Sequence, residues 1–66
     1  MKNLKFVNRI KGRIYNKIVE LDVLNGVPIR YRVLNEGNHL WCHSNDLYES
    51  DFDEILDVNI VPLNQK

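Results

Sequence analysis

The residues best suited to chemistry lie within one short stretch of the chain, between positions 39 and 47. This stretch holds the only tryptophan, Trp41, the only cysteine, Cys42, and both histidines, His39 and His43. Imidazole and thiolate groups are ligands that zinc prefers, and a cysteine beside a histidine can act as a nucleophile with its base. Whether either chemistry is available depends on where each side chain points.

Strand geometry predicts neither a metal site nor a nucleophile in this stretch. On an extended strand, His39 and His43 share a face but lie roughly 13 Å apart at about 3.3 Å per residue, while Cys42 points to the other side. Ligands at such positions cannot converge on zinc at distances of about 2.0–2.3 Å. The sequence therefore predicts no metal, no cofactor and no catalytic residue.

Trp41, between the two outward histidines, is the better functional candidate. A tryptophan buries a large area with few rotatable bonds, and it is common at interaction hot spots. An outward Trp41 predicts a contact surface that it shares with His43. Alternatively, Trp41 covers the end of a barrel or packs beneath residues 49–56, and its role is then structural.

The elements that must position these residues are strands. Apolar and polar residues alternate over residues 4–10, 18–24, 27–34 and 56–61, which predicts half-buried strands. A three-residue loop, 24–26, places both apolar stripes of one hairpin on the same face, and Gly26 supplies its left-handed position. The predicted pairs are Val23 with Val27, Leu21 with Ile29, Val19 with Tyr31, and Glu20 with Arg30, with Asp22 on the diagonal.

The second half of the chain predicts another hairpin, a short helical turn and a last strand. A connection over residues 35–38 gives the pairs Val33 with Leu40 and Tyr31 with Cys42, and turns Leu40 and Cys42 toward the core. Ser50 and Asp53 fit a capping box, which predicts a helical turn within residues 50–56. The alternation from Leu56 to Pro62 predicts the final strand.

One segment resembles a known family. The stretch His43-Ser44-Asn45-Asp46-Leu47 is similar to the Pro-Ser-Asn-Tyr-Val segment that ends the fourth strand of SH3 domains. The resemblance implies an all-β, SH3-like barrel of about five strands, in which Ser44 and Asn45 shape a turn and Leu47 enters the core. Because His43 and Asp46 replace the Pro and Tyr, and the aromatic peptide-binding motif is absent, it does not imply recognition of proline-rich peptides. The high Asn, Ile and Lys content also resembles that of small phage-type proteins.

Length and composition limit the possible functions. The 66 residues predict a single domain over 1–66 with a small core, and little room for the pocket of about 300–1,000 Å³ that small-molecule sites need. We therefore do not expect an enzyme. A lone cysteine suits a reducing compartment, and no apolar run predicts a signal peptide or a membrane span. The cytoplasm is the expected location.

Charges are balanced but segregated along the chain. Nine basic and nine acidic residues cancel, yet the basic ones dominate the first strand and the acidic ones dominate residues 46–57. The leading prediction is a protein-binding module, a small intracellular adaptor or inhibitor that makes its contacts through Trp41, His43, Asp51 and Asp53. The alternative is a nucleic-acid-binding barrel whose phosphate contacts are Lys5, Arg9, Lys11 and Arg13. Pairing of edge strands between copies of the chain is a third possibility.

Overall fold

A computed structural model describes residues 5–34, 40–43 and 47–63 of the chain. These residues form strands and one short helix, which follow the alternation of apolar and polar residues in the sequence. In chain order the elements are β1 (Phe6–Ile14), β2 (Lys17–Leu24), β3 (Val27–Val33), β4 (Cys42–His43), a 3₁₀ helix (Glu49–Asp51) and β5 (Glu54–Pro62).

All five strands belong to one antiparallel sheet with the order β4-β3-β2-β1-β5. The predicted all-β class is therefore confirmed, as is the short helical turn before the last strand. Strands β1 and β2 lie at the centre of the sheet, and β4 and β5 are its two edges in the part of the chain that the structure describes. Over these residues the sheet is open and does not close into a barrel.

The turn between β2 and β3 differs from the prediction. Asn25 and Gly26 have positive φ angles of 52° and 83°, and Leu24 pairs with Val27, so the connection is a two-residue turn of the hairpin-forming type. The predicted three-residue loop is wrong. A bulge after the turn, which leaves Ile29 without a partner residue on β2, brings the apolar stripes back to one face. The pairs are Val23 with Pro28, Asp22 with Arg30, Leu21 with Tyr31, Glu20 with Arg32 and Val19 with Val33.

The main apolar cluster lies on one face of the sheet, and the buried Val7 lies on the other face, with Arg9 of the same strand. Ile10, Leu21 and Val23 are buried in the cluster, and Tyr31, Leu47 and Phe52 pack against them, so Leu47 is part of the core as the SH3 resemblance implied. Gly12 of β1 makes room for this packing: a Cβ atom there would lie 2.6 Å from the Phe52 ring and 2.7 Å from the Glu54 carbonyl oxygen. No larger residue fits at position 12 without moving the backbone of β5.

The β4 region departs from the prediction on the inward side. Tyr31 pairs with Cys42 as predicted, but Leu40 lies before the strand, and both Leu40 and Cys42 are exposed and not part of the core. A two-residue strand at the edge of the sheet leaves nothing to cover these side chains. The predicted loop 35–38, His39 and the predicted turn residues Ser44 and Asn45 lie outside the described residues.

The cap of the 3₁₀ helix also differs from the prediction. The helix begins at Glu49, so Ser50 lies inside it and is not its N-cap. The Tyr48 amide donates to Asp51 Oδ2 at 2.8 Å, and the carboxylate of Asp53 instead accepts from the Tyr15 amide of the β1–β2 turn, also at 2.8 Å. The predicted Ser50–Asp53 capping box is therefore wrong, and β5 begins at Glu54.

Candidate functional site

Trp41 lies against three arginine side chains on the face of the sheet opposite the core. The Cζ atoms of Arg9, Arg30 and Arg32 are 4.8, 4.4 and 4.5 Å from the centre of its ring, well inside the range of about 6 Å for cation–π attraction. We call this surface, with Asp22 and Glu20, the arginine face. Trp41 points away from the core as predicted, but it is half-buried because the guanidinium groups cover it.

Asp22 organises the arginine face from its centre. Its fully buried carboxylate accepts from Arg9 Nε at 2.8 Å, from Arg9 Nη2 at 3.0 Å and from Arg30 Nε at 2.8 Å. The register explains this arrangement, because Arg9 and Arg30 are the partners of Asp22 on the two adjacent strands. A bidentate arginine–carboxylate pair is among the strongest and most directional of protein hydrogen bonds.

The remaining donors of the arginine face are also engaged. Arg32 donates to Glu20 at 2.8 Å, and Arg30 Nη2 donates to the Leu63 carbonyl oxygen at 3.0 Å. Among the described residues, no buried side-chain nitrogen or oxygen lacks a hydrogen-bond partner. The sequence predicted that Arg30 and Arg32 have Glu20 and Asp22 as partners, with Glu20 opposite Arg30. The carboxylates are the partners, but the predicted pair is wrong: Arg30 lies opposite Asp22 and donates to it, and Arg32 lies opposite Glu20 and donates to it.

The charge of Arg9 is stabilised further by its surroundings. Its hydrogen bond to Asp22, and the negative charges of Asp22 and Glu20, raise the pKa of the Arg9 guanidinium above its ordinary value, although burial acts in the opposite direction. A raised pKa gives stability that is present at all lower pH values and is lost only when the pH passes the folded-state value. Arg9 therefore stays charged throughout the neutral range.

The four residues predicted to bind a protein do not form one cluster. Trp41 is part of the arginine face, whereas Asp51 accepts from the Tyr48 amide before the 3₁₀ helix and Asp53 accepts from the Tyr15 amide of the β1–β2 turn. His43 is exposed at the end of β4, where it lines an open apolar groove of about 450 Å³. Of the four, His43 contributes least to the contacts that hold the fold.

The basic stripe predicted to bind nucleic acid is largely neutralised within the sheet. Arg9 is buried on Asp22, and Arg13 is paired with Glu54 of β5. Lys11 is half-buried beside Ile18, Leu34 and Leu56. Only Lys5 of the predicted set is both exposed and located at the end of the strand, so the stripe offers no continuous row of phosphate contacts.

The sequence did not predict an exposed apolar surface at the β5 side of the sheet. Phe6 is 50% exposed, Val58 52% and Ile60 70%, and we call these three residues the apolar strip. Val58 and Ile60 lie opposite Ile10 and Asn8 in the register of β1 and β5, on the same face as the core. The alternation of residues 56–61 predicted a half-buried strand, and this is wrong for Val58 and Ile60, because β5 is an edge strand of the sheet in the part of the chain that the structure describes.

The backbone of β5 also presents hydrogen-bonding groups at this edge. The Leu63 amide donates to the Lys5 carbonyl oxygen at 2.7 Å, and bonded pairs alternate along an antiparallel ladder. Asp57, Asn59 and Val61 therefore direct their backbone groups toward β1, whereas Val58 and Ile60 direct theirs outward. The Val58 amide agrees with this assignment, because it donates to the neighbouring carboxylate of Asp57 at 3.0 Å.

Other classes of site receive no support from the described residues. No three His, Cys, Asp or Glu residues in that part of the chain are grouped so that they could hold a metal ion. No helix there is long and apolar enough to cross a bilayer. No protein-family model matches the chain, and no match was found among curated proteins or solved structures.

Proposed function

We propose that this chain is a non-enzymatic protein-binding module, a small adaptor or inhibitor that contacts an extended polypeptide segment through the β5 edge. The observation that carries the proposal is the apolar strip of Phe6, Val58 and Ile60 at a strand whose outer edge has no neighbouring strand among the described residues. Addition of a strand to such an edge supplies backbone hydrogen bonds, and the strip supplies apolar burial for alternate side chains of the segment.

The proposal moves the contact surface away from the residues that the sequence favoured. The Trp41 ring already contacts three guanidinium groups, and Asp51 and Asp53 already accept backbone hydrogen bonds. A partner that used these groups would have to break contacts that hold the fold, whereas a partner at β5 would displace the Asp57 carboxylate from the Val58 amide and otherwise add contacts to exposed groups. Neither a closed SH3-like barrel nor a cytoplasmic location is needed for this mode of binding; both stay predictions.

Nucleic-acid binding is the less favoured alternative. Arg9 and Arg13 already have carboxylate partners, so phosphate contacts there would have to displace Asp22 and Glu54. The alternative predicts binding that weakens steeply with salt, with a slope that falls by about one unit for each lost phosphate contact. A gel-shift titration at low salt tests it, and absence of any shift with DNA or RNA would remove it.

Affinity capture tests the proposed function directly. A tagged chain is incubated with nuclease-treated lysate of its host, and captured polypeptides are compared with those retained by an Ile60→Lys variant. Leu40→Lys is the matched control, because Leu40 is 65% exposed and lies outside the sheet. A polypeptide that both the unsubstituted chain and Leu40→Lys retain, and that Ile60→Lys loses, supports the proposal.

A His43→Ala variant in the same experiment separates the two candidate surfaces. His43 is exposed on β4, at the opposite edge of the sheet from β5. If capture depends on His43 and not on Ile60, the contact surface is the one that the sequence favoured, and the β5 edge is not the binding site.

A further inference from the structure

We infer that the segment which binds at the β5 edge is β5 of a second copy of this chain, paired antiparallel about a two-fold axis beside Asn59. The inference rests on the proposed function and names the partner of the same surface. A two-fold axis makes the contact self-complementary, because each copy presents one strand to the same strand of the other. The two sheets then join into one continuous sheet.

The direction of the backbone groups selects this axis. With the axis beside Asn59, Val58 lies opposite the partner's Ile60, and Ile60 lies opposite the partner's Val58. Both residues direct their N–H and C=O groups outward, so these two positions form bonded pairs with about four hydrogen bonds. Their side chains lie on one face, which joins the apolar strips of the two copies.

A second register, with the axis at Val58, buries fewer apolar side chains. It places Val58 opposite its own counterpart and Ile60 opposite the partner's Leu56. Leu56 is displaced by the bulge between β1 and β5, and its side chain lines a groove with Lys11 and Ile18 on the other face. Ile60 would gain no apolar neighbour, so the burial of apolar side chains favours the axis beside Asn59.

The polar residues of β5 are compatible with the favoured register. Asn59 lies across the axis from its own counterpart, and Asp57 lies opposite the partner's Val61, so no like charges face each other directly. Pro62 has no amide hydrogen and cannot extend the ladder. The pairing therefore covers residues 57–61 and ends before Pro62.

The contact is small, and this determines how tightly the copies bind. Stable interfaces bury about 1,200–2,000 Å² in total, and an apolar strip of three side chains on each copy falls short of that range. In addition, the Asp57 carboxylate occupies the Val58 amide and must leave it when the strands pair; a charged residue of this kind limits association at edges. We therefore expect a reversible dimer that forms at high micromolar concentration.

Sedimentation velocity measures this association. The chain is examined from roughly 1 μM to about 1 mM, the range that brackets a weak dissociation constant. The expected result is a shift from monomer to dimer, weakened at least about tenfold in Ile60→Lys and unchanged in Leu40→Lys. Asp57→Ala, which frees the Val58 amide, is expected to strengthen the dimer. A dimer that is indifferent to Ile60→Lys would place the contact elsewhere and overturn the inference.

Disulfide crosslinking tests the register. In a Cys42→Ser background, Asn59→Cys places two thiols in a directly opposed, non-bonded pair, whose Cα atoms are about 4.5 Å apart and within reach of a disulfide. We expect Asn59→Cys to crosslink under mild oxidation at least about ten times faster than Val58→Cys, which lies on a diagonal at about 7–8 Å. Leu40→Cys is the control for random collision. Faster crosslinking of Val58→Cys would show that the axis beside Asn59 is wrong.

Failure of the inference and failure of the proposed function give different results. If the chain stays monomeric to about 1 mM but captures a foreign polypeptide in an Ile60-dependent manner, only the choice of partner is wrong. If it stays monomeric and Ile60→Lys captures the same polypeptides as the unsubstituted chain, the β5 edge is not a binding surface and both proposals are wrong.

Discussion

The centre of the sheet and its β5 edge differ in how far their side chains are buried. In β2, the adjacent residues Leu21 and Asp22 point to opposite faces, and both are 0% exposed. In β5, Val58 and Ile60 lie on the same face as Leu21 and are largely exposed. In the part of the chain that the structure describes, side chains cover both faces of β2, whereas Val58 and Ile60 of the β5 edge are left exposed.

The two faces at the centre of the sheet are covered by different kinds of side chain. On one face, the 3₁₀ helix region provides a second layer through Phe52 and Leu47, as most domains require. On the other face, Trp41 and the ion pairs of Asp22 take the place of an apolar layer. Buried ion pairs of this kind contribute little net stability but are costly to break. Among the described residues, neither an apolar layer nor ion pairs cover the β5 edge, and we therefore propose that a partner binds there.

Removal of the Asp22 carboxylate is expected to have the largest effect on the centre. Asp22→Ala leaves Arg9 and Arg30 beside Trp41 without their shared partner, and loss of one member of a buried ion pair costs about 3–5 kcal/mol of unfolding free energy. Urea denaturation followed by circular dichroism measures the loss. Asp57→Ala is the matched control, because Asp57 is exposed, and we expect it to change the unfolding free energy by less than about 0.5 kcal/mol.

The same experiment can contradict the distinction between centre and edge. If Asp22→Ala and Asp57→Ala destabilise the chain equally, Asp22 does not hold the arginine face together. Fluorescence of Trp41, the only tryptophan, provides a second measurement, because loss of the guanidinium cover exposes its ring to water and shifts its emission to longer wavelength.

Gly12→Ala is expected to have the next largest effect. The added methyl group would meet both the Phe52 ring and the backbone oxygen of Glu54, and the latter cannot move without distorting β5. Overpacking of this kind costs about 1–3 kcal/mol. Thermal unfolding measures the loss, and Phe52→Leu combined with Gly12→Ala is expected to recover only part of it because the Glu54 contact persists. Full stability of Gly12→Ala would mean that β5 and Phe52 are not held against β1 in this way.

The class of fold was predictable because strands carry a strong local signal. Alternation of apolar and polar residues gave the face of the side chains in β1, in β2 and in β3 from Arg30 onward. It was wrong for Val27, which was predicted to face inward opposite Val23 but lies opposite Leu24 and is exposed. The register of the first hairpin was not predictable from that signal. Asn25-Gly26 favours a two-residue turn, whereas the apolar stripes favour an offset of one residue, and the chain satisfies both with a bulge beside Pro28. A bulge has no distinctive sequence pattern of its own.

The site was less predictable than the fold, because it depends on which strands are edges. Strand parity correctly turned Trp41 away from the core, but parity cannot show that arginines on β1 and β3 reach the same ring. Likewise, Val58 and Ile60 have the sequence of a buried strand. Whether they are covered depends on the order β4-β3-β2-β1-β5, which is a property of the whole sheet and not of residues 54–62.

Trp41→Ala is expected to lower the unfolding free energy by less than Asp22→Ala does. The substitution removes cation–π contacts with three guanidinium groups, each worth about 0.5–1 kcal/mol at a partly exposed site, and leaves the ion pairs intact. We expect a loss of about 1–3 kcal/mol, smaller than that of Asp22→Ala. Trp41→Phe keeps an aromatic face and should lose less. Equal losses in the two variants would show that the size of the indole, and not its interaction with the cations, matters here.

The smallest effect on stability is expected at the β5 edge, where the same substitution gives opposite results on neighbouring strands. Ile60→Lys places a charge on a side chain that is 70% exposed, so the unfolding free energy of the monomer should change by less than about 0.5 kcal/mol. Ile10→Lys, on the same face of β1 but only 3% exposed, buries an unpaired charge and should unfold the chain. Urea denaturation at low micromolar concentration, where self-association is absent, compares the two. A loss at Ile60 approaching that at Ile10 would mean that β5 is covered by its own chain and is not available to a partner.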